Sequence, residues 1–85
     1  MNNSICKSDH RYLGVLANLP DSQSPEEGRH KCAGCAYEAG VVDGKAGNPK
    51  YINVDDLPYS QAGTGRHKSC TAAYEQGYAN GQANP

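Results

Sequence analysis

The sequence predicts a small α+β domain of two pseudo-symmetric strand–loop–helix units, stapled by a single zinc ion. Three observations carry that expectation. The chain repeats itself, each copy puts a β-rich run and then a helical pattern around the same motifs, and its aliphatic content is too low for an unaided core. The first copy reads Leu19-Pro20-Asp21-Ser22-Gln23, Gly28-Arg29-His30-Lys31, then Ala36-Tyr37-Glu38-x-Gly40-x-x-x-Gly44. The second reads Leu57-Pro58-Tyr59-Ser60-Gln61, Gly65-Arg66-His67-Lys68, then Ala73-Tyr74-Glu75-x-Gly77-x-x-x-Gly81. The offset is 38 residues before the loop and 37 after it. Features kept by both copies serve a shared architecture or a duplicated site. Features found in one copy are candidates for chemistry of their own.

The 85 residues make one domain, with unit one at about 10–44 and unit two at about 48–81. Leu, Ile and Val total ten, and Phe and Trp are absent. Six Tyr supply the large apolar bodies, and each one buried needs a partner for its hydroxyl. A domain so poor in aliphatics calls for a disulfide, a metal or an oligomer.

In chain order, residues 1–8 carry no apolar stretch of the kind a secretion signal has. No segment approaches the length of a membrane span. The expected location is therefore cytoplasmic, with the four Cys as thiols or ligands rather than a disulfide framework. Tyr12-Leu13-Gly14-Val15-Leu16 and Tyr51-Ile52-Asn53-Val54 read as short strands ahead of each Leu-Pro. The first also fits a helix over 9–18 with Leu13, Leu16 and Ala17 on one face, but its match to the second favours a strand. Residues 22–28 and 60–65 read as loops. Helices follow, from about Lys31 to Asp43 and from about Lys68 to Asn80, with a linker over 44–49 and a short tail from Gln82.

Spacing of four puts Cys32, Ala36, Gly40 and Gly44 on one helix stripe, and Ser69, Ala73, Gly77 and Gly81 on its counterpart. Glycine inside a helix costs about 1 kcal/mol against alanine. Close backbone approach explains its repetition better than ligand access does. Gly44 and Gly81 also suit C-terminal caps. The neighbouring stripes, with Tyr37, Val41, Tyr74 and Tyr78, read as core rather than as a base-stacking platform.

Two constellations could carry chemistry. Cys32-x-x-Cys35 fits two thiolates on a tetrahedral zinc, with Zn–S about 2.3 Å. Cys6 and His10 are the expected second half, with Cys70 an alternative to His10. In the second copy Cys6 falls on Gly44, His10 on Asn48, Cys32 on Ser69 and Cys35 on Ala72. The candidate ligands are thus missing there as a set. Buried free thiols, a disulfide or a redox pair are the competing readings, the last because a helix N-terminus lowers a thiol pKa.

The second constellation is the repeated tetrapeptide. Arg29, His30 and Lys31, and Arg66, His67 and Lys68, stand at helix starts, where free N–H groups and cationic side chains suit an anion. The plain alternative is a solvated turn braced by His30 and His67. Ser22-Gln23 and Ser60-Gln61 read as loop ties, and Glu38 and Glu75 as structural carboxylates. A P-loop, a catalytic triad and paired catalytic carboxylates do not fit the residues. Net charge of −1 excludes a non-specific nucleic-acid binder, leaving at most a local contact.

The function expected is a non-enzymatic, zinc-stabilised interaction module. Its two Gly-Arg-His-Lys loops would bind a phosphate-bearing ligand or an acidic protein surface. The alternatives are a thiol redox enzyme or sensor using Cys32 and Cys35, and a purely structural interaction domain.

Overall fold

The computed structural model describes Leu19, residues 31–59 and residues 69–83. Within them lie helix α1, Ala33–Ala46, a 3₁₀ turn, Val54–Asp56, and helix α2, Cys70–Ala83.

Each helix has a defined start. Cys32 is extended (φ −78°, ψ 106°), and its Sγ accepts the Cys35 N–H at 3.4 Å. Ser69 does the same for α2, its Oγ accepting the Ala72 N–H at 3.1 Å. These are N-cap bonds, each satisfying one of the donors a helix leaves orphaned. Residues 32 and 69 are equivalent in the repeat, as are 35 and 72. A thiol in one copy and a hydroxyl in the other therefore hold the same position. The end of α1 is a Schellman motif. Gly47 is left-handed (φ 74°), its N–H bonds to the Gly44 carbonyl at 3.3 Å, and the Asn48 N–H bonds to the Asp43 carbonyl at 2.9 Å. Lys45 in the last turn complements the helix dipole.

The caps explain why both helices lie two to three residues later than the sequence suggests. Gly44 and Gly81 are not caps. Both are interior, and the reason is their packing. A Cβ added at Gly40 would press on the Tyr74 carbonyl oxygen and lie 2.8 Å from Tyr78 N. One at Gly44 would meet the Tyr78 carbonyl oxygen and Gln82 N. From the other side, Gly77 abuts the Tyr37 carbonyl and Val41 N, and Gly81 abuts the Val41 carbonyl and Lys45 N. Partner numbers rise with glycine numbers in both directions, so the helices run parallel. The contacts also interconvert under the 37-residue offset, so the pair has a pseudo-twofold relation. Glycine lets the backbones meet, and the dispersion gained and weak Cα–H···O contacts offset its low helix propensity.

The expected α+β architecture is not what these residues form. Among the described residues there is no strand or sheet, and the elements are the two helices. Tyr51–Val54, expected as a strand, runs into the 3₁₀ turn, with the Asn53 side chain accepting the Asp55 N–H at 3.1 Å. The Tyr51 N–H goes to the Tyr74 hydroxyl at 3.1 Å rather than to a neighbouring strand. Among the described residues no strand lies beside this run, and Asn53 offers the backbone a local alternative through its bond to Asp55. The expected strand Tyr12–Leu16 lies outside the described residues. Among the described residues an antiparallel bridge joins Lys31 with Tyr59, flanked by the Cys32 N–H bonding to the Pro58 carbonyl at 2.8 Å. The Leu-Pro segment of unit two therefore packs at the helix start of unit one.

The core gathers Leu19, Ala33, Ala36, Leu57, Cys70, Ala73, Tyr74 and Tyr78. Both leucines of the repeated Leu-Pro are in it. The buried tyrosines have their hydroxyls bonded. Tyr74 donates to Asp43 Oδ2, and Tyr78 donates to the Asn48 carbonyl. Half-buried Tyr37 accepts the Asn80 amide at 2.8 Å.

Candidate binding pole

Because α1 and α2 are parallel, both begin at one end of the molecule. Cys32, Cys35, Lys31, Ser69 and Cys70 all belong to that end. Lys31 is the described member of the repeated tetrapeptide. Its side chain is only 7% exposed, and its Nζ stands 4.0 Å from the centre of the Tyr59 ring. This cation–π contact is worth about 0.5–2 kcal/mol, rising with desolvation. The backbone bridge between the same two residues fixes its geometry. Lys31 is thus a charge held at the pole, not an arm extended into solvent.

Three thiols accompany it. Cys32 and Cys70 are buried, and Cys35 is half-buried. Burial, aided by Cys32 and opposed by Lys31, pushes the Cys70 thiol up to about 12 from an ordinary 9.0. Cys70 is therefore a protonated core thiol at neutral pH. The Cys35 N–H points at Cys32 Sγ at 3.4 Å, so this sulfur is tied into the first turn of α1.

The expected metal set is only partly visible. Cys32 and Cys35 come together at the start of α1, and Cys70 lies at the start of α2. Among the described residues no group of three or more His, Cys, Asp or Glu is placed to hold a metal ion. Cys6 and His10 lie outside the described residues. So do Arg29, His30, Arg66, His67 and Lys68 of the expected anion corners. The presence of Cys32 opposite Ser69 has a local explanation as well, since both serve as caps.

Sequence reasoning missed Tyr59 and Pro58 as parts of this end. A signal was present: the variable position of Leu-Pro-x-Ser-Gln is Asp21 in one copy and Tyr59 in the other. The difference between copies was informative there.

Away from the pole, Lys50, Tyr51, Ile52, Thr71, Tyr74 and Glu75 line a shallow groove. Lys50 and Glu75 pair across it at 3.6 Å, and both are exposed, so the pair adds little stability. No described helix is long and apolar enough to cross a membrane. Comparison with protein-family models, with characterised proteins and with solved structures finds no match to this chain.

Proposed function

We propose that the chain is a non-enzymatic interaction module of the reducing cytoplasm that receives an anionic group at the pole where both helices begin. The supporting observation is the parallel packing of α1 and α2. Each helix N-terminus carries the equivalent of about half a positive charge. Parallel helices bring the two fields to one end, whereas an antiparallel pair would oppose them. The sequence places Gly-Arg-His-Lys immediately before each cap. The partner is a phosphate-bearing ligand or an acidic protein surface, and local nucleic-acid contact is one form of it. Titration with inorganic phosphate and with a short oligonucleotide, followed by NMR, tests this. The amides of residues 28–32 and 65–69 should shift first. If they stay still while others move, the pole is not the binding end.

A second reading is a structural zinc held by Cys32 and Cys35, closed by Cys6 and either His10 or Cys70. The placing of Cys32 and Cys35 in one turn at the start of α1 supports it, because two cysteines at that spacing suit a tetrahedral zinc. Elemental analysis of protein purified without chelator should find one zinc per chain; no bound metal would remove this reading. A thiol enzyme is less favoured, since a nucleophile needs access and Cys32 is 4% exposed.

A further inference from the structure

The α1–α2 interface is close to one half-interface used twice. Replacing each α2 residue by the α1 residue 37 positions earlier returns Ala36 for Ala73, Tyr37 for Tyr74, Gly40 for Gly77 and Gly44 for Gly81. Those positions make the backbone contacts: Gly40 sits on Tyr74, and Gly77 sits on Tyr37. The polar pairing carries over too. Tyr74 reaches Asp43 across the interface, and Tyr37 stands at the position equivalent to Tyr74. The one large difference is Val41 in place of Tyr78. It removes the ring whose hydroxyl bonds to the Asn48 carbonyl.

We infer that the face of α1 carrying Ala36, Gly40 and Gly44 is self-complementary, and that it docks α1 of a second copy of this chain whenever its own α2 is displaced. The occupant is identified by what already sits on that face, a parallel helix with the same small residues at the same spacing. In the two-copy pair Gly40 of each chain meets Tyr37 of the other, and each Tyr37 hydroxyl meets the other chain's Asp43. The native chain prefers α2 for two reasons. Tethering gives α2 an effective concentration in the millimolar range, and Tyr78 adds a bond that Val41 lacks.

Gly77→Leu in the full chain tests this. The leucine side chain takes the space of the Tyr37 backbone, so α2 no longer seats on α1, either within a chain or between chains. The α1 face is left intact. Sedimentation equilibrium across a dilution series should find the parent monomeric and Gly77→Leu in a monomer–dimer equilibrium. The double variant Gly40→Leu/Gly77→Leu, which spoils both faces, should be monomeric. Isotope-filtered NMR on a mixture of labelled and unlabelled Gly77→Leu should place Tyr37 of one chain beside Gly40 of the other. A Gly77→Leu chain that stays monomeric, folded or unfolded, would overturn the inference. So would larger assemblies, a dimer that persists in the double variant, or a dimer without the Tyr37–Gly40 contact.

Discussion

Tyr74 of α2 donates its hydroxyl proton to the carboxylate of Asp43 on α1. The pseudo-equivalent pair runs the other way, with the Asn80 amide donating to the Tyr37 hydroxyl at 2.8 Å. One change, Asp against Asn, reverses the donor and keeps the cross-helix tie. The two ties flank the glycine contacts and fix the helices against sliding. Tyr74 also accepts the Tyr51 N–H, so it pins the segment after α1 as well.

Tyr74→Phe should destabilise the fold by about 1–3 kcal/mol, because it strips a partner from Asp43 and from the Tyr51 N–H at once. Asp43→Asn should cost less than Tyr74→Phe, since an amide at 43 can donate to Tyr74 as Asn80 does to Tyr37. Urea unfolding of the two variants checks the order. A Tyr74→Phe chain as stable as the parent would remove the tie from the account.

The hydrogen bonds from Tyr74 and Asn48 hold the Asp43 carboxyl below its ordinary 3.8. Its contribution is therefore complete above that value and is lost as pH falls below it. Burial, with the Asp43 bond next, pushes Tyr74 above its ordinary 10.0, and Cys70 is pushed from 9.0 up to about 12. Both groups favour the fold while protonated. The Cys70 contribution is complete below pH 9 and declines from there to about 12, and that of Tyr74 declines as pH rises above 10.0. Melting temperature against pH should show a plateau between the two limbs. Asp43→Asn should flatten the acid limb, and Cys70→Ala the alkaline limb.

Gly77→Ala and Gly40→Ala should each lower stability, by about 1–3 kcal/mol. At an ordinary helix interior the same change gains about 1 kcal/mol. The sequence alone suggests that alanine is tolerated, but the first added carbon already meets a carbonyl oxygen and a backbone nitrogen of the facing helix. Backbone cannot move aside as a side-chain tip can. Thermal melts that place either alanine variant above the parent would contradict the close approach.

Cys32 separates capping from metal binding. In metal-free protein Cys32→Ser should melt close to the parent, because Ser69 shows that a hydroxyl caps the equivalent helix. Cys32→Ala should cost about 1 kcal/mol. If zinc is a ligand-bound staple, Cys32→Ser in zinc-replete protein should instead fall with Cys32→Ala, since folding and metal binding are coupled.

The helices were legible because their signals are local and doubled: the small-residue stripe and the Ala-Tyr-Glu run recur at one offset. Gly40 and Gly77 were read as close contacts for the same reason. Tyr51–Val54 misled because β-branched and aromatic composition describes what fits a sheet, not whether a second strand is present. Parallel helix direction left no local mark, since it depends on how the chain returns between Gly47 and Ser69. At the pole, the cysteines were legible as residue types, but the Lys31–Tyr59 contact is non-local and invisible to motif reading.

The direction of the helices also sets how the chain must fold. Each helix is 14 residues, about 21 Å at 1.5 Å per residue. Parallel neighbours cannot be joined by a tight αα-hairpin, so the connection over residues 47–69 must retrace that length before α2 begins. The glycine contacts that reward pairing join residues 34 to 40 positions apart. Their loop-closure entropy falls due before any of that reward arrives. The chain should thus have a higher contact order, and slower folding, than a helical hairpin of its size. The Leu57–Tyr59 segment, held against residues 31 and 32, shortens the remaining loop to α2, so docking that segment first is the least costly route to the native pair.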